Sequence, residues 1–508
     1  MRFSIYLLAF FLLFSCAKKD KKETISTDSY TIEEGFNMEV IAAEPLLRAP
    51  VAMDFDSKGR MWVAQMPGYM NDMQGSDEDK PTGSIVILED LDQDGIADQS
   101  KIFLDSLVMP RALAHVYGGL LYAEPPYLYF TEIKNDKPVN RVVVDSLYAA
   151  DGNPEHQPNG LLLNIDNWIY NAKSNFRYRR VNEEWRKEPT TFRGQWGIAQ
   201  DNFGRLYFNN NSRLILGDHV LPNRTIRNKN YNPRRTVNKL LTADQRVYPL
   251  HATTVNRGYA KGVLNADSIL VNTTAAAGLS VYRGGVFGDD YDENVFVSVP
   301  EGNLIKRIAL TFNGDSTTAK QVWQGKEFLA STDEGFRPVT IKNGPDGSMY
   351  VIDMHRGMIG HHAYLSPYLK KKNEEVRLDT ILDYGRILKI SDRSTNNSRH
   401  FDFDTLNAAQ LVELFKDNNG WVRDRAQHFL IFKNQQGAIA ELEKTALNTE
   451  NETAQIHALR TLEGLDALSF DFLVGVIKKS ESAVVAHAIV LLENFASKEN
   501  RQEVLQLF

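Results

Sequence analysis

The 508-residue chain has a single cysteine, Cys16, so no disulfide can form within it. It has no Cys-x-x-Cys-His motif, which leaves no attachment site for covalent haem. No apolar run reaches the length of about 18 residues that a membrane-spanning helix needs. Charge of one sign is not in excess: the formal net charge is -7 and the pI is near 5.9, which excludes a general nucleic-acid binder. Between Tyr30 and Asp392 apolar residues seldom recur at the 3.6-residue helical period, so that region does not read as helical.

The N-terminus reads as a targeting segment. Met1 and Arg2 form a short basic start, and Phe3 to Phe14 is an apolar core too short to span a bilayer. Leu13, Phe14, Ser15 and Cys16 follow, in the pattern of a bacterial lipobox. Residues 1–15 are therefore expected to be a lipoprotein signal peptide, with Cys16 the site of lipid attachment. Acyl chains contribute about 0.8 kcal/mol per buried methylene to membrane binding. Residues 16–29, rich in Lys, Asp, Ser and Thr, read as a solvated tether. The expected location is the bacterial cell envelope, lipid-anchored and facing the periplasm or the cell surface.

A polar turn followed by an apolar, β-prone strand recurs along the next 360 or so residues. Copies lie at Asp56–Val63, Tyr117–Tyr122, Asp166–Tyr170, Asp201–Phe208, Asp292–Val297 and Pro345–Val351. Six copies at a mean spacing of about 58 residues exceed a minimal four-stranded blade of about 40 to 50 residues, so loop insertions are needed. Residues 30–392 are predicted to form an all-β six-bladed β-propeller; a pair of β-sandwiches is the alternative. Asn209 to Asn238, rich in Asn and Arg, reads as an inserted loop. Residues 393–404 read as a linker. From 405 to 508 the period becomes helical, and Val422, Ala426 and Leu430 recur as Ala454, Ala458 and Leu462 and again as Val484, Ala488 and Leu492. Small residues at mid-helix let helices approach closely, which predicts an all-α HEAT-like solenoid and a surface for a protein partner.

Three groups of residues could carry chemistry. His156, with Asn159, precedes the strand of one repeat, where a propeller loop reaches the channel mouth; its imidazole could act as a general base. Asp90, Asp92, Asp94 and Asp98 surround Gly95 like the front half of a calcium loop, although Lys101 stands where a full loop carries Glu. Plain strand-joining turns also favour Asp and Gly. His355, Arg356, His361, His362 and Tyr364 invite a metal reading, but adjacent His361 and His362 would point to opposite faces of a strand, and no neighbouring carboxylate completes a ligand set. The better reading is that Arg356 and His361 line the channel mouth or brace Asp353 in the blade.

His156-Gln157-Pro158-Asn159-Gly160-Leu161, with the turn and strand that follow, resembles the His-Asn-Gly-Gly-Arg-Leu segment of the soluble quinoprotein glucose and sorbosone dehydrogenases. That resemblance implies that His156 takes a substrate hydroxyl proton during hydride transfer to pyrroloquinoline quinone (PQQ). Arg193 to Ala199 and Phe336 to Val339 resemble segments of that family whose arginines contact the quinone. Arg193 and Arg337, with Asn159 and Gln195 nearby, would then form the cofactor site, since guanidinium binds carboxylate in a bidentate fork. A longer series resembles a bacterial family termed membrane-bound dehydrogenases, which joins such a propeller to HEAT repeats. The series comprises Gln195–Gly197, Asn256–Tyr259, Gly302–Arg307 and Asp346–His361, continuing to Tyr364 and Pro367. The implied substrate is a sugar or polyol, and the implied partner a separate cytochrome or other electron acceptor. The chain departs from the sugar dehydrogenases at Glu301, where they carry a cofactor-contacting Lys, and near Asn209–Ser212, where their calcium-holding segment has no clear counterpart. The alternative is a non-catalytic carbohydrate- or protein-binding propeller.

Overall fold

A computed structural model describes residues 25–507 apart from 229, 232–234, 315 and 396–398. The expected signal peptide, Cys16 and most of the tether lie outside these residues. Six antiparallel sheets form the blades of a β-propeller. The first blade runs through Pro50–Phe55, Met61–Gln65, Gly83–Glu89 and Gln99–Leu107. Blades two, three and four follow within 112–145, 159–193 and 199–240. The fifth is built on Leu279–Val281, Val295–Val299, Leu304–Asn313 and Ser316–Gln321, and Leu329–Ser331 and Tyr30–Ile32 extend its sheet. The sixth combines Pro338–Asn343, Met349–Asp353 and Arg386–Asp392 with Phe36–Ala43 from the N-terminal side, in a register pairing Val40 with Leu388. That shared sheet closes the ring and leaves fewer free strand edges. Part of the expected Asn209–Asn238 insertion belongs to the fourth blade, because Leu206–Asn210 and Arg213–Gly217 are paired strands.

Each copy of the repeated segment is the turn into the second strand of a blade, and in four of them the sequence pattern has a clear physical cause. Asp56 Oδ1 accepts from the Lys58 and Arg60 amides, both at 2.9 Å, while Oδ2 accepts from Trp62 Nε1 at 3.1 Å. Asp201 likewise accepts from the Phe203 and Arg205 amides, both at 2.9 Å, and from Tyr207 Oη at 3.0 Å. Asp166 holds Tyr170 Oη at 2.8 Å, and Asp346 holds Tyr350 Oη at 3.2 Å. One carboxylate thus folds the turn and satisfies the polar tip of an otherwise buried aromatic ring.

From residue 408 onward the chain is helical. Helix α1 (Pro367–Val376) precedes the last propeller strand; α2 (Ala408–Glu413), α3 (Gly420–Phe432), α4 (Ile439–Ala446), α5 (Glu452–Gly464), α6 (Phe470–Ile477), α7 (Ser482–Leu492) and α8 (Arg501–Gln506) follow. The small and apolar residues that recur in the sequence, centred on Ala426, Ala458 and Ala488, are buried in one cluster where α3, α5 and α7 pack side by side.

These three helices also face the propeller. The α3 N-cap Asn419 accepts from the Trp421 amide, and its Nδ2 donates to the Gly344 and Pro345 carbonyls of blade six. Asp424 pairs with Arg283 at 2.8 and 3.0 Å, and Arg425 with Asp54 at 2.9 Å. Gln427 donates to the Ile165 carbonyl, Asn167 donates to the Arg460 carbonyl in α5, and His487 of α7 meets the Phe203 carbonyl at 3.0 Å. Gly118 lies so close to α3, at φ +72°, that a Cβ there would sit 2.1 Å from the Phe432 ring. The helical region therefore covers the propeller face that carries the Asp turns, and α3 stoppers the channel. Below Trp196 the channel is a space of about 160 Å³ bordered by Asp54, His115, Lys342, Asp424, Arg425 and His428. The inner helix faces, one candidate for the expected partner surface, are occupied by the chain's own propeller.

Two outcomes test this packing. Asp201→Ala leaves Arg205 without its partner and unties the turn, and is expected to cost about 3 kcal/mol in denaturant unfolding. Burial opposes ionisation of Asp424, but the Arg283 guanidinium overrides it and holds the carboxyl at about 2. A depressed carboxyl contributes stability above its unfolded value and loses it as pH falls. Docking of the helical region should therefore weaken between about pH 4 and pH 2, and Asp424→Asn should remove that acid sensitivity in hydrogen exchange at α3.

Candidate functional site

With one mouth covered, the opposite mouth opens into a cavity of about 570 Å³. Loops that lead into the first strands of the blades build its wall. Asn153 to His156 form a turn, closed by the His156 amide donating to the Asn153 carbonyl at 2.8 Å, that delivers Glu155 and His156 to the cavity. Asn159, 1% exposed, fixes this turn: its Nδ2 donates to the Gln157 and Gln195 carbonyls and its Oδ1 accepts from the Gly197 amide. Gln195 lines the cavity, and its Nε2 donates to the Glu155 carbonyl at 3.1 Å. Trp196 borders both the cavity and the closed channel and so forms the floor between them.

The His156 ring makes no hydrogen bond among the described residues; it packs against Tyr364 at 5.1 Å between centroids. Tyr364 is itself held by Asn153 Nδ2 at 2.9 Å. Burial, and then the charge of Lys173, push the His156 imidazole below its ordinary value, so it is neutral at pH 7. A neutral, unbonded imidazole facing a cavity is a competent proton acceptor. The cavity also holds one cation, Arg257, from the segment after blade four. Arg257 makes no ion pair among the described residues, although its field acts on the Glu155 and Glu301 carboxyls.

Glu155 is half-buried and Glu301 is buried. Glu155 accepts from Tyr69 Oη at 3.1 Å and from the His361 amide. Glu301, 2% exposed, accepts from the Ala275 amide at 2.7 Å and from the amide and hydroxyl of Thr274. Burial raises both carboxyls above their usual range despite these bonds. Glu301 thus ties the loop before blade five to the wall, and its place in the fold makes it a brace.

The remaining expected site residues lie elsewhere. Arg193, 1% exposed, donates to Asp218 at 2.7 and 2.9 Å, to Thr190 and to the Thr191 carbonyl. Arg337 is fully buried and donates to the carbonyls of Pro300, Arg356 and Gly357. Neither borders the cavity, so the two arginines do not converge with His156. Arg356 braces the 66–82 loop through Asn71 and the Pro67 carbonyl. His361 is buried beside the cavity, its Nε2 3.0 Å from Glu78; burial first, then His362 and His156, lower it to about 4, so this contact is a hydrogen bond and not an ion pair. Asp90, Asp92 and Asp98 present oxygens within 4.8 Å of one another, without Asp94. They sit at the tip of the hairpin between Glu89 and Gln99, on the propeller face opposite the cavity, and also fold that turn by accepting backbone amides.

This donor set does not fit a tricarboxylated quinone held as the resemblance implies. Such a group would meet one guanidinium, Arg257, and the carboxyl groups of Glu155 and Glu301, with Arg193 and Arg337 already saturated by protein partners. Sequence reading missed Arg257 and Glu155 as site residues; the only signal was their position inside the quoted Asn256–Tyr259 segment and directly before His156.

The sequence model of the family described as "Domain of unknown function (DUF7133)" matches residues 22–394. No curated protein matches the chain in sequence. Among solved structures it is similar to an oxidoreductase (glucose dehydrogenase) of Thermus thermophilus, with 14% identity, TM-score 0.36, and coverage of 70% of this chain and all of that one. It is similar to the soluble aldose sugar dehydrogenase of Escherichia coli, with 13% identity, TM-score 0.37, and the same coverage. It is also similar to the virginiamycin B lyase of Staphylococcus aureus, with 13% identity, TM-score 0.31, and coverage of 62% and 81%.

If Arg193 is a brace, Arg193→Ala leaves the Asp218 carboxylate buried and unpaired. The expected loss is about 3 to 5 kcal/mol in denaturant unfolding. A variant as stable as the parent would return Arg193 to the ligand-binding residues.

Proposed function

Because the chain belongs to the DUF7133 family, described only as a domain of unknown function, its activity has to be read from the cavity, and we propose that this cavity binds a polyhydroxylated small molecule of the sugar or polyol class for oxidation. The observation that carries the reading is His156: a half-buried imidazole, neutral at pH 7, with no protein partner for its ring nitrogens among the described residues, at the open mouth of the channel. In this reading His156 accepts the proton of a substrate hydroxyl, Arg257 and Gln195 orient the substrate, and Trp196 offers a ring face beneath it. The carbinol carbon gives up its hydride to a redox acceptor admitted through the same mouth, and the electrons pass on to a separate cytochrome or other carrier. No step is assigned to PQQ, since the cationic clamp it would need is engaged elsewhere.

The rest of the reading concerns placement. Cys16 carries the lipid that holds the protein at the cell envelope; among the described residues no helix is long and apolar enough to cross a membrane. The C-terminal helices form a HEAT-like stack whose inner faces serve the propeller, so a partner meets their outer faces. Calcium at Asp90, Asp92 and Asp98 is structural. A second reading, a non-catalytic carbohydrate-binding propeller, is favoured by Glu301 standing where the sugar dehydrogenases carry Lys.

Dye-linked oxidation of sugars and polyols, assayed with and without added quinone and calcium, and calorimetric binding of the same compounds separate the two. His156→Ala is expected to lower turnover about 10²- to 10⁴-fold with binding retained, and Arg257→Ala to weaken binding about tenfold. Binding with no dye reduction under any condition establishes the second reading; neither binding nor oxidation overturns both. Activity should fall as pH drops through the His156 value, below its ordinary 6.5. Lys173→Met removes a repelling charge and should move that acid limb to higher pH.

A further inference from the structure

Beside the cavity, but outside the residues assigned to it above, Glu78, His361 and His362 present their ligand atoms within 4.8 Å of one another. We propose that these three side chains form a binding site for a divalent first-row transition metal of the zinc class. The sequence argues against such a site only while the 361–364 segment is taken as a strand. In the fold, His361 caps a single 3-10 turn, His362–Tyr364, which brings the two imidazoles together with ring centroids 4.0 Å apart. The missing carboxylate comes from the loop between the second and third strands of blade one.

Four features of the surroundings favour a metal over a chance cluster. Glu78 Oε1 is buried with no hydrogen-bond partner, a condition that costs about 1 to 3 kcal/mol for a buried polar group unless something satisfies it. Glu78 Oε2 lies 3.0 Å from His361 Nε2, so this hydrogen-bonded pair need open only to about 3.3 Å to stand as two tetrahedral ligands about 2.0 to 2.1 Å from a shared zinc ion. Gly75, at φ +67°, leaves room for the group: a Cβ there would come within 2.8 Å of the His362 ring and 3.0 Å of the Glu78 carboxyl carbon. Finally, the two segments that carry the ligands are anchored. Glu155 accepts the His361 amide, and Arg356 locks the 66–82 loop through Asn71 and Pro67.

Coordination through His361 Nε2 would place the ring proton on Nδ1 and forfeit the bond that Nδ1 accepts from the Ala363 amide at 3.2 Å. That loss is modest, because one neutral hydrogen bond contributes little net stability, and it is small beside the gain from three ligands. Two imidazoles and one carboxylate leave a fourth tetrahedral position for a water or a ligand oxygen.

The test uses the metal alone, so it does not depend on the proposed oxidation. The full chain is stripped with a chelator and titrated with Zn²⁺ against a chromophoric competitor, and with Co²⁺ followed by its visible absorption. One equivalent is expected, with affinity at least tenfold weaker in Glu78→Gln and in His361→Ala and unchanged in Asp92→Asn, which reports on the distant Asp turn. Gly75→Ala should weaken binding similarly while leaving all three ligands in place. Circular dichroism of the apo variants separates lost ligation from lost folding. Less than stoichiometric zinc in the parent chain, or affinity within twofold of the parent in the folded Glu78 and His361 variants, overturns the site.

Discussion

A single carboxylate with two tasks organises this molecule. In four of the six blades an Asp at the first turn accepts the amides that close the turn and the polar tip of an aromatic ring on the next strand. The ring can then be buried between blades without an unsatisfied donor, and the second strand is held in register with the first. Because these turns all emerge on one face, they also present ordered carbonyls and side chains there. The helical region uses that surface: Asn419, Gln427 and His487 bond to turn residues of blades six, three and four.

That docking gives the propeller a direction. Helix α3 brings Asp424 and Arg425 onto Arg283 and Asp54 at one end of the channel, where partial burial makes paired charges necessary. Ligand access is left to the other end. There the polar groups divide into those already committed and those still available. Asn159 and Glu301 at this mouth, and Arg193, Arg337 and Arg356 outside the cavity wall, have protein partners and hold loops in place. His156 and Arg257 make no side-chain hydrogen bond or ion pair among the described residues, and the proposed chemistry at this mouth rests on them.

How much of this is legible in the sequence follows from the range of each interaction. The turn-and-strand repeat is legible because Asp56 and Trp62, or Asp201 and Tyr207, are six residues apart. The small residues at Ala426, Ala458 and Ala488 are legible because helix stacking imposes a period. The arginine clamp misleads because Arg193 and Asp218 are 25 residues apart, and Arg337 spends its donors on carbonyls, which no side-chain pattern reveals. His361 and His362 look like strand residues in the sequence, and the 3-10 turn that unites them depends on the loop against which they pack.

The sequence by itself determined the element types, the number of blades, the switch from strand to helix after the propeller, and the one blade whose leading loop carries a histidine. Each of these rests on contacts within a few residues, on periodicity, or on a motif that is local in the chain. Only the tertiary structure decided which mouth is open, which charged side chains are spent on bracing, and that Glu78 meets His361. Those outcomes depend on groups far apart in the chain that the closed ring and the docked helices bring within bonding distance.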